Sequence, residues 1–192
     1  MAGVRSEDFA TYFNKVTVID FNYDRVLKQY LYSALQRLYG LAPADAAHAL
    51  KQLNVIRPYG SLDFLEWEGA RQHLAFGNLN INLPVALKGI RTFTEEKSAG
   101  AVQHIDRALR DAQVCIVLGF GYHPQNVELL STSRDYAENP TFMTAYGMDA
   151  NKDAVTSRLQ DALKSRTRPT VMTTVAKELM YQLKPSISLA VS

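Results

Sequence analysis

The sequence predicts an α/β domain with a mostly parallel sheet and helices on both faces. Two runs, residues 16–21 (VTVIDF) and 113–118 (QVCIVL), are short, rich in β-branched residues and nearly all apolar. A strand buried on both faces reads this way. Each run leads through a tight turn into a segment whose apolar residues recur at helical spacing. Buried strands alternating with amphipathic helices are the pattern of an α/β sheet. The ligands of such sheets sit at the carboxyl ends of the strands.

After the first strand, Asn22, Tyr23 and Asp24 form the turn. Val26, Leu27, Tyr30, Leu31, Ala34, Leu35 and Leu38 then make one apolar helical stripe, with Asp24 as N-cap and Gly40 as the C′ residue. A second helix is expected over 44–53, opened by Pro43. A short strand follows over 54–56 and stops before Pro58, where Pro58, Tyr59, Gly60 and Ser61 have turn chemistry. Residues 62–82 carry the only tryptophan, Trp67, and read as an irregular excursion. A helical turn is expected over 84–88 and a short strand over 90–93. A helix over 98–110 presents Val102, Ile105 and Leu109 on one face. The strand 113–118 runs into Gly119, Phe120 and Gly121, and a helix starts near Pro124 or Gln125. Residues 141–146 are a third strand candidate. Asp149 caps a helix carrying Val155, Leu159, Ala162 and Leu163, and a last helix covers 175–183. The tail 185–192 is expected to fray. No repeat, low-complexity block or linker interrupts the chain, so one domain over 1–192 is expected.

The 192 residues hold 21 Lys and Arg against 19 Asp and Glu, a formal charge of +2. That balance excludes a strongly basic nucleic-acid binder and an acidic solvating tail. With 47% hydrophobic and 21% charged residues, the composition is that of an ordinary globular protein. The one cysteine, Cys115, excludes an internal disulfide framework and a Cys-rich zinc site, and fits a reducing compartment. No apolar run approaches the roughly 20 residues that span a bilayer, and the first residues lack an apolar signal core. A cytoplasmic protein is expected, with no membrane or nucleic-acid partner.

Three turns follow strands and so are candidate binding positions: one around Asn22, one around Tyr59 and Gly60, and one from Gly119 to His123. The Asn22 amide can both donate to and accept from a ligand. Asparagine also suits turns for its own sake, because it tolerates left-handed backbone and bonds its own turn. Gly119 and Gly121 let a backbone approach a phosphate or ribose, and a helix start behind them favours negative charge. Their G-x-G spacing lacks the third glycine of the dinucleotide fingerprint and equally fits a plain tight turn. His123 is a candidate phosphate contact or proton carrier, or simply an exposed turn residue. His48, His73 and His104 have no partner at metal-ligand spacing, so no metal is expected. Ser61 and Ser131 lack a G-x-S-x-G context. Cys115, inside an apolar strand, reads as an inert buried thiol. Glu95 and Glu96 fit the acidic start of a helix as well as they fit paired acids.

The string VIDFNYDRVLKQYL resembles the FNYD motif of the sirtuin-like domains, a broad bacterial group related to the sirtuins. IRPYGSL resembles that group's HG or YG segment. RTFTEE and CIVLGFGYHPQNVELL resemble its next helix-leading segment and its last glycine-bearing strand. Order and spacing agree over residues 16–130.

The resemblance implies a Rossmann-like sheet that binds NAD. Some members deacylate lysine with NAD, and many bacterial ones hydrolyse NAD, often in anti-phage defence. In both, the motif asparagine positions the nicotinamide ribose and the motif histidine acts as base. Asn22 matches the asparagine, and Tyr59, just before Gly60, stands where the histidine would be. Phe21, Tyr23, Asp24 and Gly60 fall in the same cofactor-binding segments. Gly119, Phe120 and Gly121, with Asn126 downstream, match the segment near the adenosine half.

Two departures carry weight. The glycine-rich strand-turn-helix that opens these domains has no counterpart before residue 16, which implies an N-terminal part lost or divergent. Tyr59 is a poor base, since a tyrosine ordinarily ionises near pH 10. The zinc-binding cysteines of the deacylases are also missing, against lysine deacylation. The expected function is therefore binding of NAD or ADP-ribose, with NAD glycohydrolase chemistry if the site is active. The alternative is a catalytically inactive protein-interaction or nucleotide-sensing module, as a homo-oligomer or with a protein partner. A small-molecule enzyme unrelated to NAD on the same scaffold is a third class.

Overall fold

A computed structural model describes residues 9, 11–62, 64–70, 73, 75–77, 89–90, 99–133, 135–136 and 138–191. The expected helical turn at 84–88, most of the strand at 90–93, RTFTEE, and Glu95 with Glu96 lie outside these residues. The chain is α/β with parallel strands, and it divides into two compact units, residues 1–101 and 102–192.

The first unit holds strand β1 (Thr17–Ile19), helix α1 (Val26–Tyr39), helix α2 (Pro43–Lys51) and strand β2 (Asn54–Ile56). A 3₁₀ turn, Glu66–Glu68, carries Trp67. β1 and β2 pair in parallel, Thr17 opposite Asn54 and Ile19 opposite Ile56. Parallel strands need a crossover, and α1 with α2 supplies it. The crossover also makes the core. Phe9, Leu35, Leu41, Ala46, Ala49, Leu50 and Leu53 are buried together, and Phe13, Val18, Leu31, Tyr32, Val55 and Trp67 pack on them. Trp67 stacks on Tyr32 at 4.6 Å between ring centres, and its Nε1 donates to Gln29 at 3.0 Å. The indole thus covers part of its ring while keeping its polar atom satisfied.

Helix α1 buries a narrower face than its apolar residues suggest. Leu35 is buried and Leu31 and Tyr32 are partly so, but Val26, Tyr30 and Leu38 are exposed at 54%, 66% and 74%. The helical repeat places Val26 and Tyr30 away from Leu35, so one stripe was too generous a grouping. Gly40 ends the helix with φ 69°, and its N–H donates back to the last turn. Arg25 occupies the N-cap position in place of Asp24. Asp24 bonds from one residue upstream, its Oδ1 accepting the Val26 N–H at 2.9 Å.

The second unit takes in helix α3 (Ala99–Asp111) from Val102 onward, strand β3 (Cys115–Val117), helix α4 (Pro124–Leu129), strand β4 (Thr141–Thr144), helix α5 (Lys152–Ala162), strand β5 (Thr170–Met172) and helix α6 (Ala176–Val191). A 3₁₀ turn, Asp149–Asn151, leads into α5, with Asn151 rather than Asp149 at the N-cap. β3, β4 and β5 form a parallel sheet in that order, Val117 opposite Met143 and Thr144 opposite Met172. The central strand is the most buried: Thr141, Met143 and Thr144 are closed to solvent, as is Ala145 just beyond it. Ile105 and Leu109 of α3, Val155 and Leu159 of α5, Leu163, and Leu179 of α6 are buried too. Ala162, expected on the α5 stripe, is only partly covered.

The strand β5 was not expected, and the tail expected to fray is helical through Pro185 to Val191. A proline there costs one backbone hydrogen bond. Asp106 fixes α3 to the loop before β4. Its carboxylate accepts from Thr132 Oγ1 at 2.9 Å, the Ser133 N–H at 2.6 Å and Ser133 Oγ at 2.8 Å, with Arg110 at 3.4 Å. These bonds hold its carboxyl below the usual value, the Ser133 N–H contributing most. No helix among the described residues is long and apolar enough to cross a membrane.

Candidate functional site

In the first unit, the carboxyl ends of β1 and β2 lie side by side because the strands are parallel, and a turn leaves each. Asn22 is exposed on the first turn, with Tyr23 exposed at 53% and Phe21 and Asp24 half-buried. Tyr59 and Gly60, half-buried, are on the second. Phe21 and Tyr59 meet edge to face, with ring centres 6.2 Å apart, so an aromatic contact joins the two turns.

The backbone joins them as well. The Asp20 N–H donates to Ile56 O at 2.9 Å, and the Leu62 N–H donates to Tyr23 O at 3.0 Å. Between those two bonds lies an ion pair. Asp20 Oδ2 takes Arg57 Nε at 3.3 Å and Nη2 at 3.2 Å, and both side chains are about nine-tenths buried. The Nη2 approach is a charge contact, for that nitrogen is buried without an aligned hydrogen bond. The other oxygen, Asp20 Oδ1, accepts the Asn22 N–H at 3.0 Å and closes an Asx turn.

Gly60 is required by its surroundings. Its φ is 75°, and a Cβ there would stand 2.0 Å from Gly89 O. A side chain on Gly89 would in turn meet Ser61 O at 2.4 Å. The two backbones cross at two glycines, Ser61 N–H donates to Gly89 O at 3.1 Å, and Gly60 bridges Ile90 in antiparallel fashion. Burial pushes the Tyr59 hydroxyl up from its ordinary value of 10.0. The phenol therefore stays protonated near neutral pH and can donate a hydrogen bond.

In the second unit, the turn after β3 is fastened to the end of β4. The Gly119 N–H donates to Thr144 Oγ1 at 3.0 Å, and Tyr122 Oη donates to Thr144 O at 2.7 Å. Gly119 has φ 57° and Tyr122 has φ 51°, an uncommon conformation for a side chain of that size. Tyr122 is buried, and Phe120 packs edge-on against its ring at 5.1 Å. Gly121 is not left-handed, and a Cβ on Gly119 or Gly121 would meet open space. His123 is exposed at the N-cap of α4, whose six residues give little dipole, and its carbonyl takes the Asn126 N–H at 2.9 Å.

No family model, curated protein or solved structure matches the chain.

Phe21, Asn22, Tyr23, Asp24, Tyr59 and Gly60 gather at the paired strand ends of the first unit. Gly119, Phe120, Gly121 and Asn126 belong to the turn and short helix after β3 in the second. His48, His73, His104 and His123 are all exposed, and no group of three metal-ligating side chains occurs among the described residues. Cys115 is buried and in no disulfide. Sequence reasoning missed Asp20, Arg57 and Thr144. The D-x-N spacing of Asp20 and Asn22 is an Asx-turn signal that was readable. Arg57, 37 positions away, carried no local sign of its partner.

Proposed function

We propose that this chain binds NAD or ADP-ribose at the carboxyl ends of β1 and β2. Asn22 makes the ribose contact, and Tyr59 lines the nicotinamide end as a hydrogen-bond donor. The observation that supports this reading is the pairing of two turns at parallel strand ends, one with an exposed asparagine and the other with an aromatic phenol. The resemblance of VIDFNYD and IRPYGSL to sirtuin-like motifs supplies the ligand class.

The raised Tyr59 hydroxyl favours binding or sensing above hydrolysis, because a protonated phenol accepts no proton near pH 7. An NAD glycohydrolase would need its oxocarbenium-like transition state stabilised by the site's fixed dipoles alone.

Thermal melting of the full chain with NAD, ADP-ribose, ATP or no ligand tests the reading. A ligand at 100 times its Kd adds about 2.7 kcal/mol, a shift of several degrees. NAD or ADP-ribose should shift the wild-type melt and ATP should not, and Asn22→Ala should abolish the shift. No shift at millimolar NAD or ADP-ribose rejects the proposal. Nicotinamide release that disappears in Asn22→Ala would return the hydrolase reading to first place.

A further inference from the structure

The geometry points to Asp20 as a positioning residue for the ligand contact of Asn22, an inference that rests on the nucleotide reading of that site. Asp20 touches no ligand in this scheme. Its carboxylate works as a clasp with two ends. Oδ1 holds the Asn22 N–H at 3.0 Å, and Oδ2 is held by Arg57 from the neighbouring strand end. The Asp20 N–H is itself anchored on Ile56 O at 2.9 Å, so the backbone beneath the carboxylate is fixed by the ladder. An exposed asparagine on a free turn would sample many orientations, and ordering it would be charged against ligand affinity. Here three bonds from two strands set the backbone of Asn22 before any ligand arrives. The charge of Arg57 is thereby paired within the protein, through the Nε hydrogen bond and the Nη2 charge contact. Its charge faces Asp20 and its head group is buried, so it stabilises the clasp and is not offered to a phosphate.

Two variants separate the clasp from general stability. Asp20→Ala removes both ends. Asp20→Asn keeps one acceptor oxygen, which can serve the Asn22 N–H, and sets an NH2 donor against Arg57 in place of the charged oxygen. Amide hydrogen exchange at Asn22 in the unliganded full chain reads the first end directly. It should quicken about tenfold in Asp20→Ala, the factor of one such bond, and change little in Asp20→Asn. The Kd for NAD or ADP-ribose should weaken at least about fivefold in Asp20→Ala and recover most of that loss in Asp20→Asn. Should Asp20→Ala not fold, Arg57→Lys takes its place. It keeps the charge but loses the Nε hydrogen bond to Oδ2, and it should weaken binding by a smaller factor.

Wild-type affinity in Asp20→Ala, or in Arg57→Lys where that variant is used, overturns the inference. So does equal loss in Asp20→Ala and Asp20→Asn while the Asn22 amide stays protected. Absence of binding by the wild type rejects the nucleotide reading instead, and the exchange rate at Asn22 then decides the clasp by itself.

Discussion

Gly60 and Gly40 make a matched pair for testing how much a close backbone crossing is worth. Both have positive φ, 75° and 69°, so alanine at either position suffers the left-handed penalty. That penalty is about 1 kcal/mol. At Gly40 an added Cβ meets nothing within 4 Å, so the penalty is the whole cost. At Gly60 the same atom falls 2.0 Å from Gly89 O, when real Cβ contacts under 3.0 Å are essentially never seen. Residues 89 and 90 must retreat by about 1 Å, the difference of those two distances, and the Ser61 N–H bond to Gly89 O at 3.1 Å is lost with them. One such bond is worth about 0.5–1.5 kcal/mol, and stranding its partners costs more. Gly60→Ala should therefore destabilise by about 2–4 kcal/mol against about 1 kcal/mol for Gly40→Ala. Urea titration followed by Trp67 emission measures both, since the only tryptophan stacks on Tyr32 against the core of the unit that holds both glycines. Equal losses in the two variants would refute the crossing as an energetic constraint.

Asp106→Ala removes three hydrogen bonds to a carboxylate and should cost about 1.5–3 kcal/mol by thermal denaturation. Because the folded value for Asp106 lies below 3.8, its contribution is complete above that pH and is lost as pH falls through the folded value. Asp106→Asn should flatten the acid limb of the stability profile, and an unchanged limb would contradict this. Tyr59 and Tyr122 are both pushed up by burial, so their contribution is full below pH 10 and fades as pH rises through their folded values. Absorbance titration at alkaline pH should show Tyr59→Phe removing a late-ionising phenol; removal of an early one would contradict the burial argument. Tyr122→Phe leaves Thr144 O without its 2.7 Å donor and should cost about 1–2 kcal/mol, read from chemical denaturation.

How much of this was readable depended on how local its cause was. β2 was legible to the residue because Pro58 bounds it and Val55 and Ile56 fill it. β1 and β3 are shorter than the apolar runs that announced them. The run 16–21 includes Asp20, whose side chain starts a turn, and the run 113–118 includes Leu118, exposed at 41%. β5 escaped notice since Thr170, Val171 and Met172 form no apolar run. Their strand character comes from pairing with β4, a tertiary cause. The exposed side of α1 was hidden for the opposite reason: Val26, Tyr30 and Leu38 are apolar but are not in the core. At the site, Asn22, Tyr59 and Gly60 could be named from strand-end position and turn chemistry. The clasp beneath Asn22 joins positions 37 apart, and the crossing at Gly60 depends on Gly89, so neither had a local signal.

Cys115 gives the second unit a clock of its own. The residue is only 8% exposed in β3, and it carries the chain's one sulfhydryl. A small disulfide reagent can react with it only when β3 opens, so the labelling rate counts openings of that sheet. Divided by the rate for an unhindered thiol, it yields an opening equilibrium for the second unit under native conditions. Trp67 emission reports the first unit in the same tube, so the two halves of the chain can be timed against each other without adding a dye or a mutation.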